Sequence, residues 1–149
     1  MAQFTSYPAI VNGLPSMGFN AARPCVFFFG GELYLLNGDM DAWKWNTGTE
    51  IWETDTDFAT FDVDPSIRNG GAAFYISGEL YLVLGTFTTS FKGYKWSVAN
   101  TQWEQNAGII SGLSSVTTYL HPTYFQLGST HHLIVTDIDG NYTGWEWTG

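Results

Sequence analysis

Basic residues and cysteine are the scarcest chemistry in this sequence: five Lys and Arg stand against fourteen Asp and Glu, and Cys25 is alone. The resulting net charge of −9 argues against a phosphate-binding surface, because nucleic-acid affinity rests on clustered cations that release counterions. It equally disfavours adsorption to anionic lipid, and no apolar run is long enough to span a bilayer as a helix. One cysteine excludes an internal disulfide, a thiolate metal cluster and a Cys-x-x-Cys redox pair. Such a residue reads first as a buried structural thiol, with a reactive thiol as the competing reading. Residues 1–20 lack a basic segment followed by an apolar stretch, so no secretory signal is visible and a soluble protein is expected.

Charge of either sign is sparse, at 13% of residues, whereas aromatic residues reach 17%; that balance belongs to a packed domain, not to a disordered chain. Helical periodicity with caps is also missing, and seventeen glycines with five prolines over 149 residues disfavour long helices. What remains are short aromatic and β-branched runs separated by Gly-rich or Asn-containing turns, the pattern of an all-β chain.

These runs repeat. Gly31-Glu32-Leu33-Tyr34-Leu35 recurs as Gly78-Glu79-Leu80-Tyr81-Leu82, and a degraded copy reads Ser129-Thr130-His131-His132-Leu133. Downstream of each stands an aromatic-x-Trp triplet whose second Trp falls at Trp45, Trp96 and Trp147, an interval of 51 both times. A further Trp follows seven residues later, at Trp52 and Trp103. The unit of about 50 residues predicts a β-propeller built from four-stranded antiparallel blades. In the first unit the strands are expected at 25–29, 33–37, 42–45 and 50–53, here termed a, b, c and d.

The third unit reaches Thr148-Gly149 without a strand d, and a match to that piece stands at the other end of the chain. Ala2-Gln3-Phe4 followed by 9–14 parallels Thr101-Gln102-Trp103 followed by 108–113. The expectation is therefore a single three-blade unit over 1–149: strand d and linker at 1–20, blades at 21–67 and 68–118, and strands a to c of a third blade at 119–149. Three blades leave two open edges, so two chains are expected to close a six-bladed ring, with a nine-bladed ring of three chains as the weaker alternative.

The pattern Gly-Glu-Leu-Tyr, aromatic-x-Trp and second Trp resembles kelch-like and tachylectin-like propeller blades over nearly the whole chain. A ring assembled from short chains also resembles the small fucose-binding propeller lectins of bacteria and fungi. No position-by-position match to the sugar-binding Arg, Glu and Trp of those lectins is present, so no site residue is carried over from them.

The topology sends the b–c and d–a connections to one face of the blades, and the d–a connections are long, as in 12–22 and 54–67. Arg23, Arg68 and His121 precede strand a in the three units, and Trp43, Tyr94 and Trp145 are expected to open strand c on the same face. A flat ring beside a multi-donor cation or imidazole suits a sugar, covering C–H faces while the donors meet hydroxyls. The competing reading gives the aromatics to packing between blades, the arginines to ion pairs and His121 to a structural role. Trp45, Trp96, Trp147, Trp52 and Trp103 read as core. Asp137-Ile138-Asp139-Gly140-Asn141 and Asp39-Met40-Asp41 read as turns before they read as calcium loops, because the acidic spacing and closing Glu are missing. His131 and His132 point to opposite faces of a strand and make a poor metal pair.

No nucleophile with its base and no paired carboxylates stand out, so the chain is expected to be a non-enzymatic, lectin-like binding protein without cofactor or metal. A structural or protein-interaction propeller is the main alternative. A glycosidase built from Asp39, Asp62, Asp64 and Asp137 is a minor one.

Overall fold

A computed structural model describes residues 8–16, 23–63, 65, 70–85, 90–113, 121–136 and 139–148. The all-β expectation holds: eleven strands in three antiparallel sheets make up the described chain, with two single-turn 3-10 helices between them. The first sheet contains β1 (Cys25–Phe29), β2 (Glu32–Leu36), β3 (Ala42–Asn46) and β4 (Ile51–Asp55) in sequential order. The second repeats it with β5 (Gly71–Ile76), β6 (Glu79–Gly85), β7 (Phe91–Ser97) and β8 (Gln102–Gln105). The third has β9 (His121–Leu127), β10 (Thr130–Thr136) and β11 (Tyr142–Glu146), and no fourth strand among the described residues.

Turn chemistry sets these registers. The β1–β2 hairpin turns on Gly30 and Gly31 and the β5–β6 hairpin on Ser77 and Gly78, and all four adopt positive φ, the conformation a two-residue hairpin loop needs to match strand twist. The β3–β4 and β7–β8 loops are four residues each and end in a left-handed residue, Glu50 and Thr101. The expected strand b at 33–37 is shifted by one residue, because Asn37 leaves the ladder. Its carboxamide oxygen accepts from the N–H groups of Asp39 (2.9 Å) and Asp41 (2.8 Å), closing the turn to β3. Strand d likewise begins at Ile51, since the positive φ of Glu50 belongs to the turn.

Alternation along β2 and β6 splits the core into layers. Tyr34 and Leu36 join Leu80, Leu82, Leu84, Tyr94, Trp96 and Trp103 between the first and second sheets. Phe74, Val83 and Phe91 meet Leu133 and Val135 between the second and third. Leu35, Trp43, Trp45 and Trp52 form a third cluster on the opposite face of the first sheet. The leading strands β1, β5 and β9 lie side by side, so the three sheets stack in chain order about one common edge.

The connections also contribute to the core. Phe58, in the segment between β4 and β5, is 3% exposed and stacks on Trp96 with ring centroids 4.1 Å apart. The Trp103 indole N–H donates to the Phe58 carbonyl at 3.0 Å, and the Trp103 backbone N–H to the Thr60 carbonyl at 2.9 Å. At the first sheet the segment containing the 3-10 turn Pro8–Val11 does the same. The indole of Trp52 donates to the Ile10 carbonyl and its backbone N–H to Asn12, both at 2.8 Å. The repeated Trp therefore ties each outer strand to the segment that precedes its own sheet.

Candidate functional site

Arg23, Gly70 and His121 occupy one equivalent position, two residues ahead of the Cys25, Ala72 and Thr123 that pair with Leu36, Val83 and Ile134. The fold brings them together. A Cβ placed on Gly70 would lie 3.0 Å from the Arg23 Cβ, 3.1 Å from the His121 ring and 3.2 Å from the Arg23 carbonyl oxygen. A side chain there would crowd Arg23 and His121, and the φ of +92° is strained for any residue but glycine. Gly70 is in turn anchored by its carbonyl, which accepts from the Gly85 N–H at 3.1 Å.

Arg23 and His121 are both partly buried. Burial, and secondarily the neighbouring Arg23 charge, hold the His121 pKa below the usual histidine value. At neutral pH the pair thus offers a permanent planar cation beside a neutral imidazole that can donate from one nitrogen and accept at the other. This cation-bearing spot sits in a chain of net charge −9. Arg68 lies outside the described residues.

The three aromatics expected to open strand c lie in the strands of their sheets. Trp43, Tyr94 and Trp145 pair with Leu35, Leu82 and Leu133; Trp43 is second in its strand as expected, whereas Tyr94 and Trp145 are fourth in theirs. Strand β7 starts three residues before Tyr94, and the pleat turns the ring into the sheet face. Tyr94 is 0% exposed and its hydroxyl donates to the Val63 carbonyl at 3.2 Å. Trp43 packs with Leu35, Trp45 and Trp52, and Trp145, partly buried, meets the Phe91 ring edge-on at 5.9 Å. Trp45, Trp52, Trp96 and Trp103 are buried as expected of core residues, whereas Trp147 is 38% exposed.

The other candidates resolve into structural contacts. Asp62 accepts from the Gln105 backbone N–H at 3.0 and 3.1 Å, fastening the segment after β4 to β8. Asp39 and Asp41 belong to the Asn37 turn, with Met40 buried between them at positive φ. No group of three His, Cys, Asp or Glu stands close enough to hold a metal among the described residues. Asp64 and Asp137 lie outside those residues. His131 bonds the Tyr124 hydroxyl at 2.6 Å while His132 stacks on Phe125 at 5.1 Å, on the other face. Burial pushes the Cys25 thiol up to about 12, which leaves it uncharged and unreactive.

Sequence reasoning missed Gly70 as the point of convergence and the docking of the connections onto Trp52 and Trp103. The Gly70-Gly71 pair ahead of a strand was the available signal for the first. No protein-family model matches the chain, and no curated protein is a significant match to it.

Proposed function

We propose that the three sheets are successive blades of a kelch-like or tachylectin-like β-propeller, that two chains close a six-bladed ring, and that the ring is a non-enzymatic binding module for carbohydrate or glycoconjugate. The convergence of Arg23 and His121 on Gly70 carries this reading, because it gathers hydrogen-bond donors at the start of the innermost strands, where ring symmetry would present them twice. Guanidinium and imidazole N–H groups match vicinal hydroxyls or a sugar carboxylate, and two copies on one rigid ring raise avidity without a new contact. The stacked order of the sheets and the side-by-side leading strands support the blade assignment.

Burial of Trp43 and Tyr94 favours a second reading, a propeller that docks on protein, since it withdraws two flat rings from the recognition face. A glycan array probed with the wild-type chain and with Arg23→Ala separates the two. Saturable binding to particular glycans, lost in Arg23→Ala with an unchanged melting curve, supports the sugar site. A silent array counts against it.

A further inference from the structure

Two turns in this chain are copies of each other, but among the described residues only one is covered. In the turn following Pro8–Val11, Asn12 N–H bonds Ala9 at 3.0 Å and Leu14 N–H bonds Val11 at 3.3 Å. In the turn following Ala107–Ile110, Ser111 bonds Gly108 and Leu113 bonds Ile110, both at 3.1 Å. Gly13 and Gly112 close them with φ of +86° and +88°. Over Gly13 lies β4: a Cβ there would collide with the Trp52 carbonyl oxygen and come within 2.6 Å of the Ile51 side chain. Over Gly112 no described atom lies within 4 Å.

We propose that residues 2–5 of a second copy of this chain add to β11 as the fourth strand of the third sheet, with Phe4 seated beside Gly112. This rests on the ring reading above. Three observations support it. First, the two filled positions use carbonyls two residues apart, Ile10 with Asn12 and Phe58 with Thr60, and the third connection offers Ile109 and Ser111 at the same spacing. Second, Trp103 packs against Phe27, Phe58 and Trp96, and their counterparts Phe74, Ile109 and Trp147 line an apolar recess at the edge of the third sheet. Third, Gln3-Phe4 stands ninety-nine residues before Gln102-Trp103, the same offset that separates the two turns.

A second copy is the occupant because exposed residues on the first and third sheets complement each other. Within the chain, Phe29 of one leading strand meets Tyr75 of the next at 6.5 Å, and Phe74 meets Tyr124 at 4.8 Å. Carrying those pairings one sheet further sets Leu127 against Phe28 and Phe125 against Val26 of a following chain. Leu127, Phe28 and Val26 are 64%, 69% and 53% exposed. The second sheet stands between the first and third, so the turn at Pro8–Val11, bonded to β4, is on the far side from β11 of its own chain. The contact is head-to-tail, and two such contacts close a ring.

In the register of the first two sheets Gln3 would pair with Thr148, as Gln102 pairs with Ser97. A Gln3→Cys, Thr148→Cys variant should therefore oxidise to a covalent species of twice 16.6 kDa or its closed ring, with slowed amide exchange over Tyr142–Glu146. Phe4→Ala should weaken association by about thirtyfold or more, and Phe4→Trp, which restores an indole N–H for the Ile109 carbonyl, should tighten it. A dimer whose mass and β11 exchange are untouched by Phe4→Ala would overturn the seat while leaving the ring. A monomer by native mass would overturn the ring reading, and a cross-link confined to one chain would overturn the second copy as occupant.

Discussion

The second and third sheets come from the same repeat, yet they are stabilised very differently. A layer packs on each face of the second sheet: Leu82, Leu84, Tyr94 and Trp103 are 0% exposed toward the first sheet, and Val83 is 1% exposed toward the third. The third sheet buries Leu133 and Val135 toward its neighbour while leaving Leu127 and Tyr142 64% and 74% exposed. Its repeat has also lost the Gly-Glu-Leu-Tyr motif, with His131 and His132 where the second sheet has Leu80 and Tyr81. Such a sheet has little intrinsic stability and depends on what stacks against it, as in other repeat architectures where each unit is held by its neighbours.

The difference is broken most severely at the repeated Trp positions. Trp103→Ala removes a fully buried indole together with its bond to the Phe58 carbonyl, and should cost about 3–5 kcal/mol. Trp147→Ala, at the corresponding layer of the third sheet but 38% exposed, should cost about 1 kcal/mol in the isolated chain. Chemical denaturation of both variants at one protein concentration checks this. Equal losses would mean that the third sheet is as well supported as the second.

A sharper comparison uses the paired turns. Alanine at either Gly13 or Gly112 meets the left-handed backbone, at about 1 kcal/mol. At Gly13 the new methyl also strikes the Trp52 backbone, so Gly13→Ala should lose about 3 kcal/mol in all. Gly112→Ala should stay near the smaller figure in a dilute single chain and show its main effect on association. Thermal melts across a concentration series separate the two.

Much of this frame was legible in the sequence because its signals are local. Gly30-Gly31 and Ser77-Gly78 fix two hairpins, and the constant interval between Trp45, Trp96 and Trp147 sets the unit. The site was less legible because it depends on where strand c begins. Sequence places Tyr94 at a loop end, whereas Phe91 opens β7 and carries Tyr94 into the core. Nor does any residue pattern announce that a carbonyl such as that of Phe58 or Ile10 will meet an indole N–H; backbone acceptors are present at every position and are selected only by tertiary packing.

Sheet starts differ as well as sheet faces, and the smallest expected effect lies there. The first sheet opens with Arg23, a cation at any pH, and the third with His121, whose pKa burial and Arg23 depress. A histidine whose folded-state pKa lies below its unfolded value binds protons less readily when folded, so stability is full above about pH 7 and falls as pH drops through the unfolded value near 6.5. The fall ends below the folded-state pKa, where both states are protonated. Denaturation midpoints measured from pH 7.5 to 5 should show this decline in the wild type and lose its histidine component in His121→Asn. Arg23→Met removes the secondary cause and leaves burial in place, so its decline should be shallower but present. An identical pH profile in wild type and His121→Asn would show that the imidazole is not desolvated at the meeting point of the three leading strands.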